Sequence, residues 1–488
     1  MLLLERDTPE ALIPEARRRT RRRRRRGGLI GAVAVLAGLG AYLAAGGGGS
    51  GVLTETASRP FANVDAFRGK GELAFISRGR LWVLDGQRST LRRVAAPRRA
   101  ALSHPTFSRD GRWVAFEDGD QLWVARGDGT DAHELGRLRV GGIVGWGPGA
   151  DVLAVYVAGR FAVIGVALAD PSGRTRVLMS LPPRDRRWGY VESAVWSPDG
   201  TAVAVSAKTI RPADGAASVS AYPVDGRPAT TWFYRGNRSG LPGLCNDCHG
   251  DDVIPQLAGW WPHVGIGFWV YCCGMTHNND DTPLEIVARA KAMPRIVART
   301  LSDGVTDAVS GDGGRLAVVS AHGGGRELTV GKTVEVCRSG VCAPVPAATV
   351  WSRPGSRPGS AVTLDPAWSP DRRLLAYVKA PVVEFETHLT VAWYATHDVY
   401  IYDTVSGRSH QLAQVRGASV PEWSKDGRDL LYVSGDGLWL APVTGAAAQR
   451  IAYPLYGARR SSGELALTPP FGYYGQIPWS AQFSWWSP

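Results

Sequence analysis

Six cysteines, Cys245, Cys248, Cys272, Cys273, Cys337 and Cys342, are the residues of this chain whose spacing most directly suggests chemistry. Cys245-Asn246-Asp247-Cys248-His249 has the spacing of a c-type haem attachment motif, with Met275 as a conceivable second axial ligand. Such a haem needs a pocket, usually helical. The residues around the motif, Gly236 to Asp252, instead read as loop. A zinc site from the same thiols with His249, His263 or His277 is a second option. Adjacent Cys272 and Cys273 diverge in an extended chain, and an oxidising compartment would compete for the thiolates. The preferred reading is two disulfides joining one pair to the other, since vicinal cysteines rarely bond to each other. Cys337-Arg-Ser-Gly-Val-Cys342 brackets a hairpin and predicts a clamping disulfide of modest effect.

Other reactive constellations are missing from the sequence. His104, His133, His322, His388, His397 and His410 show no metal-ligand spacing and read as surface or satisfied core residues. There is no Gly-x-Ser-x-Gly elbow and no phosphate-binding Gly-rich loop. Asp251-Asp252 and Asp280-Asp281 lie in polar stretches and read as solvated. No catalytic residue, cofactor or metal is therefore assigned, and the expectation leans away from an enzyme.

The elements that hold these residues are repeats. Phe107-Ser-Arg-Asp-Gly111, Trp196-Ser-Pro-Asp-Gly200, Trp368-Ser-Pro-Asp371 and Trp423-Ser-Lys-Asp-Gly427 are the clearest copies. Weaker ones are Trp146-Gly-Pro-Gly149, Trp260-Trp-Pro-His263 and Val309-Ser-Gly-Asp-Gly313, and the chain ends Trp486-Ser-Pro488. In each copy an aromatic or apolar residue ends a strand. Ser-Pro-Asp-Gly then turns the chain, with Pro fixing φ and Gly taking positive φ. An apolar strand follows, as in Trp113-Val-Ala-Phe116, then Leu-Trp-Val at 81–83 or 122–124 and a Gly/Asp turn. Four strands per repeat make one blade of a propeller. Anchors at 107, 146, 196, 261, 309, 368, 423 and 486 count eight blades, with seven possible if a weak copy is discounted. The last copy lacks its continuation, and Gly71-Glu-Leu-Ala-Phe-Ile-Ser77 lacks a phrase before it. The C-terminal strand is expected to complete the first blade and close the ring.

The phrase aromatic-Ser-Pro-Asp-Gly, an apolar strand, Leu-Trp-Val and Asp-Gly resembles the TolB-type propeller repeat over about 66–488. That resemblance implies an all-β fold and an interaction platform. It carries no catalytic residue. TolB-type rings usually have six blades, and the N-terminal α/β domain of TolB has no counterpart here.

The sequence carries 18 Trp, most of them inside the repeat phrases, so they read as blade core. The formal charge is +12, of which residues 1–26 hold +6 through an Arg block. The uncharged apolar run Leu29–Ala45 follows, about 25 Å long as a helix. The expected organisation is a cytoplasmic tail (1–26), a transmembrane signal-anchor helix (27–46), a flexible linker (47–65) and the propeller (66–488), facing outward by the positive-inside rule. A cleaved signal peptide is the rival reading. The modest positive charge of the remainder suits envelope proteins or anionic polymers and does not mark a nucleic-acid binder. Cys-bearing insertions at 209–256 and 274–284 are where binding would reside. The expected function is a non-catalytic binding scaffold in the envelope. The alternative is a propeller enzyme acting at the channel mouth, metal- or haem-dependent through Cys245, Cys248 and His249.

Overall fold

In the repeat phrase a serine hydroxyl organises each turn. Ser108, Ser197, Ser369 and Ser424 donate to Asp110, Asp199, Asp371 and Asp426 at 2.5–2.8 Å. The same hydroxyls accept the backbone N–H five residues on, from Trp113, Ala202, Leu374 and Asp429. Each aspartate accepts a further N–H from two residues later. These donors, the serine first, hold Asp199, Asp371 and Asp426 below the usual carboxylate range. Gly111, Gly200 and Gly427 supply φ near +70°, and Arg372 takes φ 63° where the copy at Trp368 has no glycine.

The computed structural model describes residues 59–96, 102–149, 151–159, 162–181, 189–209, 216–235, 253–272, 282–300, 307–309, 314–322, 331–338, 341–345, 361–381, 395–435, 437–455 and 479–488. Their strands pair as eight four-stranded antiparallel meanders, two of which share one long strand. Blade 1 joins Phe483–Trp486 to Glu72–Ser77, Arg80–Asp85 and Thr90–Arg93. Blade 2 runs Leu102–Phe107, Trp113–Asp118, Gln121–Arg126 and the start of His133–Trp146. The rest of that strand opens blade 3, followed by Leu153–Ala158, Val163–Ala169 and Thr175–Ser180. Blade 4 comprises Gly189–Trp196, Ala202–Thr209, Ala216–Pro223 and Thr230–Arg235. Blade 5 has Val253–Trp261, Gly265–Cys272, Thr282–Val287 and Arg295–Thr300. Asp307–Val309, Leu316–His322, Gly331–Arg338 and Val341–Pro344 form blade 6. In blade 7 the strands are Ala361–Trp368, Leu374–Pro381, Asp398–Asp403 and Arg408–Arg416. Blade 8 has Ala418–Trp423, Asp429–Ser434, Gly437–Pro442 and Gln449–Tyr453, with Phe61–Ala62 added outside.

Apolar clusters fill the gaps between successive blades all the way round. One joins Phe67, Leu73, Phe75 and Phe483 of the first blade and its approach to Leu431, Leu438 and Ile451 of the eighth. First strands touch in most pairs of successive blades, which puts them at the centre of the ring and the fourth strands outside. The molecule is therefore a closed β-propeller. Closure is by pairing of Phe483–Trp486 with Glu72–Phe75, as the interrupted repeat implied.

The register of closure is one residue earlier than the sequence phrase implies. Trp485, not Trp486, pairs with Leu73, as Trp423 pairs with Leu430 and Phe107 with Val114. Trp485 packs toward blade 8, and Trp486 packs toward blade 2, where its ring covers Gly111. The Trp260-Trp261 pair behaves alike, the first ring facing blade 4 and the second blade 6. Where a second Trp replaces the turn serine, no hydroxyl holds the turn, and side-chain packing between blades takes over. The linker expected over 47–65 also ends sooner, because Phe61 and Ala62 pair with Tyr453 and Ala452.

Tryptophans at the ends of the innermost strands pin blade to blade. The Nε1–H of Trp146 donates to the Thr106 carbonyl, that of Trp196 to Gly145 and that of Trp423 to Ala367, at 2.8–3.0 Å. In each case the acceptor precedes the matching residue of the preceding blade. This accounts for the recurrence of the residue by packing and hydrogen bonding, as read from the sequence.

Candidate functional site

Each innermost strand is an edge, and several bulge at the same height. The register shifts between Ser103 and Thr106, Val191 and Ser193, Leu257 and Gly259, Leu364 and Ala367, and Ser419 and Glu422. His104, Asp365 and Val420 take φ of 49–52° there, each followed by a proline that an edge strand tolerates because no ladder bond is lost. The bulge turns these residues out of the ladder and toward the channel wall.

Behind one sector of those strands the packing is polar. The second strand places Glu117, Tyr156 and Ser206 at one equivalent position in blades 2, 3 and 4. The other blades have Ile76, Trp269, Val319, Val378 and Val433 there. Glu117 is 7 % exposed, and its Oε2 lies 2.8 Å from Nδ1 of His104 and accepts from Ser103 Oγ at 3.1 Å. Its Oε1 is buried without a hydrogen-bond partner. His104 itself is 43 % exposed. The Tyr156 hydroxyl accepts from Ala194 N at 2.8 Å, and burial pushes its pKa up to about 12, so its own proton stays available for donation. Ser206 donates to the Pro255 carbonyl. Burial raises the Glu192 carboxyl, outweighing the pull of Lys208, a buried lysine of the second strand of blade 4.

Across the ring the wall is acidic. Asp365 Oδ2 accepts from Val420 N at 3.1 Å, bridging blades 7 and 8. Glu422 follows the bulge of blade 8, and burial pushes its carboxyl up to about 7. The innermost strands carry Glu192, Asp307, Asp365 and Glu422 and no Lys or Arg.

The residues singled out in the sequence fall elsewhere. Cys337 and Cys342 face each other across the hairpin of the two outer strands of blade 6 and form a disulfide, as the spacing predicted. Cys272 ends the second strand of blade 5 opposite Val253, at the end of the blade where the 236–252 segment enters. Cys245, Cys248, His249, Cys273, Met275 and His277 lie outside the described residues, as do the 1–26 tail and the apolar run at 29–45. No helix among the described residues is long and apolar enough to cross a membrane, and no metal-holding group of His, Cys, Asp or Glu occurs among them. His263 takes φ 60° in the turn between the first two strands of blade 5. The polar sector escaped the sequence reading, although Glu117 and Ser206 each follow an apolar run (residues 113–116 and 202–205).

No family model matches the chain, and no curated protein matches it in sequence. Solved structures resemble it in part. An oligogalacturonate lyase from Vibrio parahaemolyticus is 12 % identical, with TM-score 0.44, over 81 % of this chain and 100 % of its own. A puromycin hydrolase is 16 % identical, with TM-score 0.42, over 77 % of this chain and 59 % of its own. A protein assigned as TolB from Agrobacterium tumefaciens is 14 % identical, with TM-score 0.31, over 79 % and 99 %. At these values no activity or partner passes to this chain, and the propeller assignment rests on strand pairing.

Proposed function

We propose that the chain is a membrane-anchored, extracytoplasmic propeller that acts as a non-catalytic binding scaffold for an envelope protein or polymer. The Arg block followed by an apolar run supports the address. The polar sector on the second strands of blades 2–4, with half-exposed His104 held against Glu117, is the observation that carries the binding role. Those positions are apolar in the other blades, so the ring does not need polar groups there to pack. A ring closed by pairing of its two ends supplies a rigid frame for such a wall.

The full chain, solubilised and immobilised, should retain a specific component of envelope extracts. Substitution in the polar sector (His104→Phe with Tyr156→Phe) should weaken that retention while the fold persists. Retention of nothing, together with turnover of a small substrate, would overturn the scaffold reading in favour of a propeller enzyme.

A further inference from the structure

Where the ring closes, the junction between blades 1 and 2 holds a carboxyl group whose protonation bears on closure, whatever the ring binds. Glu72 opens the second strand of blade 1, opposite Trp486 of the closing strand and Asp85 of the third strand. It shares a side of its strand with Ala74 and Ile76, which pack toward blade 2. Its Oε2 is buried without a hydrogen-bond partner and lies against Gly127 of blade 2, where a Cβ would collide both with it and with the Gly111 carbonyl. The Trp486 ring covers Gly111 in turn. The carboxyl group, the two glycines and the closing tryptophan therefore form one packed stack.

The charges around Glu72 disfavour its ionised form. Asp85 and Asp128 face it, and the Arg88 guanidinium is already held by both, at 2.9 and 3.4 Å. Arg92 faces Asp128. In blade 2, Arg112 pairs with Asp110 and Asp151, and Arg126 pairs with Asp131. Lys70, two residues before Glu72, reaches Asp429 of blade 8 at 2.6 Å. Burial first, then Asp85 and Asp128, push the Glu72 carboxyl up to about 7 against the pull of Arg88. The closing strand thus lies between an ion pair toward blade 8 and a carboxyl group that packs best as the acid toward blade 2.

We propose that Glu72 is a proton-operated latch on ring closure. As the acid it packs against the Gly127 turn. As the carboxylate it meets Asp85 and Asp128 with its inner oxygen unsatisfied, and blade 1 and the closing strand loosen from blade 2. The folded chain holds this proton more tightly than the unfolded chain, so the latch is fully set below about pH 4.5 and is lost as pH rises through about 7.

Hydrogen–deuterium exchange of the full, solubilised chain, read by mass spectrometry at about pH 5.5 and 8.5, tests this against Glu72→Gln. Comparing the two chains at one pH cancels the intrinsic pH dependence of exchange and the contribution of Glu422, which both carry. For Phe483–Trp486 the parent-to-variant ratio of exchange rates should rise about tenfold between the two pH values, part of the full linkage being lost to solvent screening. For Ala216–Pro223 in blade 4 it should stay constant. Asp128→Asn keeps the oxygen to which Thr130 donates and removes one opposing charge. The parent-to-Asn ratio for Phe483–Trp486 should therefore rise in the same direction by less, because Asp85 remains. A flat ratio against Glu72→Gln, an equal rise in the blade 4 strand, or a ratio against Asp128→Asn that falls with pH overturns the latch.

Discussion

Replacing Phe483 by alanine tests ring closure at a single side chain. Phe483 opens the final strand, pairs with Phe75, and is 3 % exposed in the cluster it shares with Leu431, Leu438 and Ile451 of blade 8. Truncating a phenylalanine this enclosed costs about 3–5 kcal/mol. Total stabilities are about 5–15 kcal/mol, so the loss is large on that scale. Val405, 79 % exposed on blade 7, is the control, and its alanine variant should stay within about 0.5 kcal/mol of the parent. Leu431→Ala on blade 8 should cost about 2–5 kcal/mol alone. Because both side chains belong to one cluster, the double variant should depart from additivity by about 0.5–3 kcal/mol. Urea titration followed by tryptophan fluorescence measures all four. Additivity within about 0.3 kcal/mol, or a Phe483→Ala as mild as Val405→Ala, would mean that the two ends of the chain do not meet.

Three further outcomes follow from named contacts. Trp423→Phe removes the donor to the Ala367 carbonyl while keeping most of the ring's bulk, and should cost about 1 kcal/mol in the same titration. Glu422 is raised by burial from 4.5 to about 7, so the folded chain binds its proton more tightly than the unfolded chain does. Stability should therefore fall as pH rises from about 4.5 to 7, by at most ~3 kcal/mol and less to the extent that channel water screens this half-buried group. Glu422→Gln should flatten that slope, and a parent whose stability rises across the same window would contradict the burial. The Cys337–Cys342 bond closes a short hairpin, so Cys337→Ser with Cys342→Ser should cost no more than about 2 kcal/mol and leave the fold intact.

Much of the architecture was legible because turn chemistry repeats with it. Ser-Pro-Asp-Gly marks a place where the hydroxyl, the carboxylate and a positive φ are all needed, so the eight anchors found the eight inner strands. Even the weak copies at Trp146 and Trp260-Trp261 fell on strand ends. The exact register of the Trp-Trp copies was not legible, since it depends on which neighbour each ring faces. The single strand His133–Trp146 serves two blades without a loop, and its Gly141-Gly142 reads as a turn rather than as part of one continuous strand. Nor could the sequence anticipate Phe61–Ala62, whose place on the outer edge of blade 8 is fixed by pairing with a partner far along the chain. The polar sector was missed for a related reason. His104 and Glu117 come together only across a bulge, and a lone histidine between Ser103 and Pro105 reads as an ordinary surface or core residue.

The pairing of Phe483–Trp486 with Glu72–Phe75 also sets a schedule for biosynthesis. The Trp485 indole bonds to the Lys70 carbonyl across 415 positions of sequence. At about 5–20 residues per second, the first blade waits roughly 20–80 s for its inner strand. During that interval it presents an unpaired edge flanked by Leu73 and Phe75, the kind of surface that recruits neighbouring nascent chains. Closure of the ring thus waits on the last of these strands to be made, and synthesis halted before Phe483 would leave a product one strand short of a circle.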